Sequence, residues 1–311
     1  MAQTAWRNEH QENCVDLVTL FAIPKSFEGR IAEIQLNAIR SWIALKPRCE
    51  IFLLGAERGT AEVAARFGLR HLPDVARNEY GTPLLNSLFA QAQRAATHDI
   101  LCYVNADILL MEDLLESITR VVRERWPAVV IGRRWDLDLG EAWEFDHPQS
   151  SERLRRVVRT RGRLHAPYAM DYFLFPRGLW QDIPPLAIGR TLWDNWLIWR
   201  ASTLGIPIID ASEAIMAVHQ DHDYSHLRGG SVAAWQGPEA ARNLQLLGGL
   251  DHIFDLRDAT WILTPTSLHR ARGVRSFLRR VRHTRPIRPL VRPLQQLKRV
   301  IQEARRRVVT P

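Results

Sequence analysis

DILCYVNAD, residues 99–107, predicts a buried β-strand that ends in two polar side chains. Five apolar residues lead into Asn105 and Asp107, which stand one residue apart. Ligands of parallel α/β sheets bind outside the carboxyl ends of the strands, and residues two apart in an extended chain project to the same side. Two oxygen donors there suit a hard divalent cation that holds phosphate oxygens. An Asn or Asp at a strand end also forms turns and caps the following helix, so the spacing leaves both interpretations open.

Short apolar runs alternate with helical patterns on either side of this stretch. The apolar runs predict strands over 15–23, 50–55, 69–72, 99–107 and 128–132, and the helical periods fall over 27–45, 59–67, 84–96 and 112–125. Further on we expect a strand within 170–180, a basic helix near 150–162, a helix over 192–205, and strands over 206–210 and 214–219. This alternation predicts an α/β fold with a mostly parallel, twisted, Rossmann-like sheet flanked by helices.

The composition favours one large domain and a basic tail. With 311 residues, 46% of them hydrophobic, the chain can bury a full-sized core. No stretch between 132 and 264 has the composition of a linker, so we expect a domain over 1–264 and a tail over 265–311. From Arg270 onward the chain carries 14 Lys and Arg against one acid, whereas the preceding part is slightly acidic.

The spacing of apolar residues in the tail predicts a basic amphipathic helix over 291–309. Its apolar stripe consists of Val291, Leu294, Leu297 and Ile301. Such a helix suits the anionic surface of a membrane. Nucleic-acid binding and a disordered solubilising tail are the alternatives, and nucleic acid is the least favoured.

Several classes of protein are disfavoured by what the sequence lacks. No apolar run approaches the roughly 20 residues that span a bilayer, and the N-terminus has no apolar segment of the secretory type. Cys14, Cys49 and Cys102 have no metal-type spacing, so we expect free thiols in a reducing cytoplasm. GxGxxG, GxxxxGK(S/T) and GxSxG motifs are also absent from the sequence, which disfavours a dinucleotide fingerprint, a P-loop and a serine-hydrolase elbow.

The stretch AVHQDHDYSH (217–226) concentrates metal-binding residue types after a predicted strand. It contains His219, His222 and His226 together with two aspartates. Imidazoles and carboxylates at this density indicate a metal-binding or phosphate-facing loop. A solvated His- and Asp-rich turn is the alternative, because no HExxH or HxH pattern is present.

The stretch WDNW (193–196) opens a predicted helix with a carboxylate near its start. Asp194 could cap the helix while the tryptophans fill the core. In the functional interpretation, Asp194 lies in a cleft with aromatic walls, takes a proton from an acceptor hydroxyl, and is flanked by rings that stack on a sugar.

Two further candidate sites have weaker support from the sequence. The loop ARNEYGTP (76–83) follows the third strand, so Arg77 and Asn78 would face the same cleft, although surface loops of this composition are common. Asp171, at the start of an apolar strand, has no role that its spacing assigns.

The motifs ARNEYGTPLLN, WDNWL and HQDHDYSH, together with the acidic strand end, resemble the GT-A nucleotide-sugar glycosyltransferases. The resemblance is to bacterial family 2-like members and covers about residues 15–250. It implies a GT-A fold, an Mn²⁺ or Mg²⁺ cofactor, and a D-x-D position that NAD (105–107) occupies here. Asn105 departs from the acid usual at the first position of that motif.

The resemblance also implies roles for individual residues. Asp194 would be the catalytic base, and Asp107, His219 and His222 would bind the metal. The implied donor-binding residues are Ala22, Pro24, Lys25, Arg77, Asn78, Asn105, Ala106 and Asp107, and the acceptor-binding residues are Asp171, Trp193 and Asn195.

The function expected from this resemblance is hexosyl transfer, inverting and metal-assisted, from a nucleoside-diphosphate sugar of the UDP or GDP type. The acceptor would be a hydroxyl of a glycan or of a lipid-linked molecule. We expect a cytoplasmic protein, with peripheral attachment to the inner face of the membrane through the tail. The alternatives are a metal-dependent hydrolase centred on the His219–His226 loop, and a non-catalytic protein with a sugar-nucleotide-binding fold.

Overall fold

The computed structural model describes residues 18–147, 149–222 and 237–271, which form two β-sheets with helices packed against them. The strands are β1 (Val18–Ala22), β2 (Glu50–Leu54), β3 (Arg70–Leu72), β4 (Ile100–Val104), β5 (Ile108–Leu109), β6 (Val129–Ile131), β7 (Arg134–Leu137), β8 (Arg163–Leu164), β9 (Tyr172–Pro176), β10 (Ile208–Asp210), β11 (Ala217–Gln220), β12 (Trp261–Leu263) and β13 (Leu268–Arg270).

The helices follow the amphipathic pattern of the sequence. They are α1 (Gly29–Ile43), α2 (Thr60–Phe67), α3 (Leu85–Ala95), α4 (Asp113–Arg125), α5 (Ser150–Arg161), α6 (Trp193–Thr203) and α7 (Pro238–Leu246). Helix α1 buries Ile34, Ala38 and Trp42, which recur every four residues and therefore share one face. Helix α2 ends at Gly68, whose φ of 64° is a left-handed conformation that favours glycine.

The large sheet has nine strands in the order β13-β12-β10-β6-β9-β4-β1-β2-β3. The pairings of β1 with β2 and β4, of β2 with β3, and of β10 with β6 and β12 are parallel. Strand β9 lies between β4 and β6 and runs antiparallel to both. The start of β9 therefore meets the carboxyl ends of its neighbours, which brings Asp171 to the edge where β4 ends.

Helices cover both faces of this sheet. Alternate strand residues such as Leu20 and Cys102 pack with α1, α2 and α4 on one face. Their neighbours Phe21 and Tyr103 pack with α3 and α6 on the other. Strands buried on both sides consist of almost uninterrupted apolar residues, which explains why their sequences are apolar rather than alternating.

The small sheet lies at the carboxyl end of β4 and has the order β5-β11-β7-β8. Strand β11 is central: it pairs antiparallel with β5 and parallel with β7. Leu137, Leu154, Val158 and Val218 form its core with helix α5. This sheet joins the turn after β4 to the stretch that contains His219.

The structure confirms the α/β fold with a mostly parallel sheet. The sequence did not predict the short strands β5, β7 and β8, nor α7, β12 and β13. Strand β13 lies past residue 264, while the basic tail from residue 272 is outside the described residues, so the division of the chain at 264 stays a prediction. Cys49 and Cys102 are buried free thiols, and Cys14 is not among the described residues. None of the described helices has the length and apolar character needed to cross a membrane.

Candidate functional site

The candidate site lies where β4 leaves the large sheet. Strand β4 ends at Val104, and a turn closed by the hydrogen bond from the Ile108 amide to the Asn105 carbonyl follows. The extended geometry expected for Asn105 and Asp107 therefore stops, and their side chains contact different groups. Neither caps helix α4, whose N-cap position is Glu112. The helix-cap interpretation of this pair is therefore wrong.

Asp107 lies against two histidines. Its Oδ2 is 3.0 Å from Nε2 of His222 and 3.8 Å from Nε2 of His219. One ligand atom from each of the three side chains falls within 4.8 Å of the others, which is the spacing of a metal-binding group. The resemblance implied the same three residues as metal ligands, and the register of β11 with β5, which sets His219 beside Ile108, explains why they meet.

The electrostatics of Asp107 favour an ionised carboxylate. Burial on its own would raise the pKa of Asp107, but its interaction with His219, the hydrogen bond from His222 and the nearby Lys25 hold it well below its usual range. Its Oδ1 is buried and has no hydrogen-bond partner among the described residues. A buried anionic oxygen without a donor is unusual, and a bound cation would satisfy it.

Lys25 lies in the loop after β1 and near Asp107. Gln35 fixes this loop, since its amide donates to the Lys25 carbonyl at 2.9 Å and its Oε1 accepts from the Lys25 N–H at 2.6 Å. Burial lowers the pKa of the Lys25 ammonium, and the charge of Asp107 partly opposes this effect. Of the predicted donor-binding residues around it, Ala22 and Pro24 are buried, as is Ala106 in the turn.

Asn105 is bonded within the protein at both ends of its amide. Its Nδ2 donates to Oδ1 of Asp171 at 2.7 Å, and its Oδ1 accepts from the Tyr103 hydroxyl at 2.7 Å. Asp171 is only 5% exposed, and its Oδ1 also accepts from Nη1 of Arg134 at 2.7 Å. Asn105 and Asp171 therefore belong to one buried polar network, and this placement gives no support to the predicted acceptor contact of Asp171.

Arg134 links this network to the histidines. Its Nε donates to Oδ1 of Asp136 at 2.9 Å, and Oδ2 of Asp136 accepts from Nδ1 of His165 at 2.8 Å. Asp136 and His219 are partners in the parallel register of β7 and β11. The sequence analysis missed this group, although the alternation of Arg134 and Asp136 with apolar neighbours in RRWDLDLG is the period of a β-strand.

Asp194 lies in the first turn of α6, with its Oδ2 3.4 Å from the backbone nitrogen of Met170. Burial raises the pKa of Asp194 to about 7, although hydrogen bonds from Asn195 and Met170 act in the opposite direction. Burial also raises the pKa of Tyr103, and the charges of Asp107, Asp171 and Asp194 add to this effect. Asp194 therefore shares its electrostatic surroundings with the strand-end site and has a pKa suited to a general base.

Two other predicted acceptor residues lie in the core. Trp193 is 6% exposed, and its ring packs edge-on against Tyr103, with centroids 5.4 Å apart. Asn195 is 4% exposed, and its amide donates to the Phe254 carbonyl at 2.6 Å. No side chain caps α6 at Leu192. The tryptophan therefore fills the core, and neither placement supports the predicted contact with an acceptor.

Arg77 and Asn78 hold their loop to other elements. Arg77 pairs with Glu57 at 2.6 Å, and Asn78 donates to Oε1 of Glu239 at 2.6 Å. Both line a cavity of about 230 Å³ between this loop and α7. Asp107, His219 and His222 do not line this cavity, so its lining does not connect Arg77 and Asn78 to the strand-end site. His226 lies outside the described residues.

Comparison with solved structures finds GT-A-type proteins at low sequence identity. Glucosyl-3-phosphoglycerate synthase from Mycobacterium tuberculosis, in complex with Mg²⁺ and UDP, matches with a TM-score of 0.45 and 13% identity over 78% of this chain and 84% of its own. GalNAc-T7, with UDP, GalNAc and Mn²⁺, matches with a TM-score of 0.48 and 16% identity over 75% of this chain and 48% of its own. No protein-family model matches the sequence, and no curated protein does.

Proposed function

We propose that the chain transfers a sugar from a nucleoside-diphosphate donor to a hydroxyl acceptor, with a divalent cation at the end of β4. The observation that carries this proposal is the cluster of Asp107, His219 and His222 at the carboxyl edge of the sheet, where α/β folds bind their ligands. Oδ1 of Asp107, which has no hydrogen-bond partner in the part of the chain that the structure describes, lies in the same cluster.

Asp107, His219 and His222 would hold Mn²⁺ or Mg²⁺. When bound, such a cation offsets the negative charge that develops on a departing diphosphate. Carboxylate oxygens suit both ions, and two imidazoles favour Mn²⁺ over Mg²⁺. Lys25, in the loop after β1, lies close enough to Asp107 for their charges to interact, so its ammonium would add positive charge to the site.

Asp194 is the proposed base. A carboxyl group with a pKa of about 7 is partly ionised at neutral pH and accepts a proton better than an ordinary aspartate. It would take the proton of the acceptor hydroxyl as that oxygen attacks the anomeric carbon. With one such carboxylate acting on the acceptor, we propose inversion of the anomeric configuration.

The acceptor class and the membrane contact are proposed on the sequence alone. A lipid-linked or glycan hydroxyl would be met at an anionic membrane surface, where the basic residues after 270 would bind. Flotation of the full chain with anionic and with neutral vesicles tests this part. Binding to the neutral vesicles alone, or to neither, would contradict it.

A thermal-shift experiment tests the central proposal. UDP and GDP are each added to the full chain with and without Mn²⁺, starting with UDP, the nucleotide named for the two similar structures. We expect stabilisation by one nucleotide that depends on Mn²⁺ in the wild type and is lost in Asp107→Asn. Stabilisation by Mn²⁺ alone would favour the hydrolase, and no response would favour a non-catalytic protein.

A transfer assay separates binding from chemistry. Asp194→Asn should keep the Mn²⁺-dependent nucleotide binding and lose release of nucleoside diphosphate from the matching sugar donor. Full turnover in Asp194→Asn would contradict the assignment of the base and leave the donor site intact.

A further inference from the structure

His219 lies between carboxylates on both sides of its ring. Nε2 is 3.8 Å from Oδ2 of Asp107, and Nδ1 is 3.6 Å from Oδ1 of Asp136 and 3.6 Å from Oδ1 of Asp221. These are ion-pair distances, and the buried Nδ1 has no hydrogen-bond partner among the described residues. Two groups with metal-binding spacing therefore share this histidine, one on each side. A neutral imidazole carries its proton on one nitrogen, so the position of that proton decides which side can bind a cation.

The two sides differ in what their carboxylates already bind. Oδ1 of Asp136 accepts from Arg134 at 2.9 Å, and Oδ2 accepts from His165 at 2.8 Å and from Arg163 at 3.2 Å. A carboxylate surrounded by donors and cations has little capacity left for a metal ion. Asp107, by contrast, has a buried Oδ1 without a partner among the described residues. The chemistry of the oxygens therefore favours the Asp107 side for the cation.

The Asp136 carboxylate is also much more buried than that of Asp221. The parallel register of β7 and β11 sets Asp136 directly beside His219, and the side chain of Asp136 is 4% exposed. Asp221 follows β11 and has a side chain that is 51% exposed, so water competes for its oxygens. Metal-binding histidines commonly donate their second ring N–H to a buried carboxylate, which fixes the tautomer and the ring.

We propose that Asp136 is a positioning residue that keeps the proton of His219 on Nδ1 and leaves Nε2 free toward Asp107. This inference rests on the proposed function, because it assigns a purpose to the orientation of a metal-binding histidine. Arg134 and His165 are the anchors, since their hydrogen bonds hold the Asp136 carboxylate in place. Asp136 itself touches neither donor nor acceptor.

The first test measures the tautomer in the metal-free wild type. Long-range ¹H–¹⁵N NMR of the full chain with labelled histidine distinguishes Nδ1–H from Nε2–H, and His219→Gln assigns the signal by its loss. We expect the Nδ1–H form. An Nε2–H form would overturn the proposal and would move the cation to the side of Asp136 and Asp221. This measurement does not depend on how any Asp136 variant folds.

The second test compares two carboxylates at the same distance from Nδ1. Mn²⁺ affinity is measured by electron paramagnetic resonance for the wild type, Asp136→Asn and Asp221→Asn. We expect Asp136→Asn to weaken binding about 10- to 100-fold, the range for lost outer-sphere partners, and Asp221→Asn to change it less than about threefold. Equal losses in both variants, or a loss only in Asp221→Asn, would contradict the inference.

Failure of this inference differs from failure of the proposed function. If the wild-type protein binds no Mn²⁺, the proposed metal-assisted function is contradicted. The tautomer measurement would still decide whether Asp136 holds the proton of His219 on Nδ1. Wild-type binding that Asp107→Asn abolishes and Asp136→Asn leaves unchanged would keep the function and reject the positioning role.

Discussion

The amide of Asn105 donates a hydrogen bond to the carboxylate of Asp171 at 2.7 Å, across 66 residues of sequence. The amide at the first position of the strand-end motif, Asn105, thus faces the carboxylate of Asp171. An acid at position 105 would place two negative charges together in a buried network. The amide at this position therefore fits the structure around it and need not be a degenerate metal ligand.

Asn105→Asp is expected to destabilise the protein and not to tighten Mn²⁺ binding. The substitution replaces a donor by an anion next to Asp171, and the loss should be on the order of 2 kcal/mol at neutral pH. Chemical denaturation of the wild type and the variant at neutral pH measures the difference in the free energy of unfolding. A more stable variant with tighter Mn²⁺ binding would contradict this account.

The double variant Asn105→Asp/Asp171→Asn should recover part of the lost stability. It reverses the direction of the hydrogen bond and keeps a single negative charge in the network, while the amide oxygen at 171 replaces the carboxylate that accepts from Arg134. The four proteins form a double-mutant cycle, and a favourable coupling energy is expected because the two residues touch. A coupling near zero would mean that the contact contributes nothing.

The rate of transfer should rise with pH through about 7. The base must be deprotonated, and burial holds the pKa of Asp194 at about 7. We expect a rising limb in kcat/KM near that pH in the wild type. Asp194→Asn should lower kcat by about 10²- to 10⁴-fold and abolish the limb. A limb that persists in the variant belongs to another group.

Asp194→Asn should also make the protein more stable at high pH. The folded protein holds the Asp194 proton up to about pH 7, whereas the unfolded chain releases it near pH 4, so ionisation costs stability as pH rises between these values. The gain in the variant should reach about 2–4 kcal/mol above pH 8 and disappear near pH 4. Urea unfolding across this range measures it, and a gain independent of pH would point to another cause.

Glu239 of α7 is a buried carboxylate that bonds both Arg190 and Asn78, and the contact of α7 with the loop at 76–83 should depend on it. Glu239 accepts from Arg190 at 2.6 Å and from Asn78 at 2.6 Å, and all three side chains are at least partly buried. Glu239→Ala leaves Arg190 without its partner and should cost about 3 kcal/mol.

Arg242→Ala is the matched control on the same helix. Arg242 pairs with Glu79 at 2.6 Å, but both side chains are at least half exposed, so its removal should cost less than about 1 kcal/mol. Comparable losses in the two variants would mean that burial does not set the strength of these pairs.

Sequence patterns predicted the central strands because each is a short apolar run between helical periods. The resemblance implied that Asp107, His219 and His222 form one metal-binding set, and the antiparallel register of β11 with β5 is what brings them together. Strand β5 has only two residues, which are too few for a period to be read. Its pairing depends on the turn after β4, which no local pattern encodes.

The roles of buried polar residues were harder to predict. Trp193 was expected to line a cleft, but burial of the aromatic face of α6 against Tyr103 depends on tertiary packing. Asn105 looked like a ligand because its partner Asp171 lies 66 residues away. A sequence shows which polar residues stand at a strand end. Their hydrogen-bond partners come from segments that are distant in the sequence, so local patterns do not reveal them.

The reversed strand β9 has a consequence for how the chain folds during synthesis. It pairs Val104 with Tyr172 and lies in the middle of the sheet, between β4 and β6. Such long-range pairings form slowly, because the intervening loop must close first. A nascent chain that ends before β9 lacks a central strand and leaves the edge of β4 open. The proposed donor site therefore cannot be complete before β9 has been made, and we expect activity to appear only after synthesis of β11 as well.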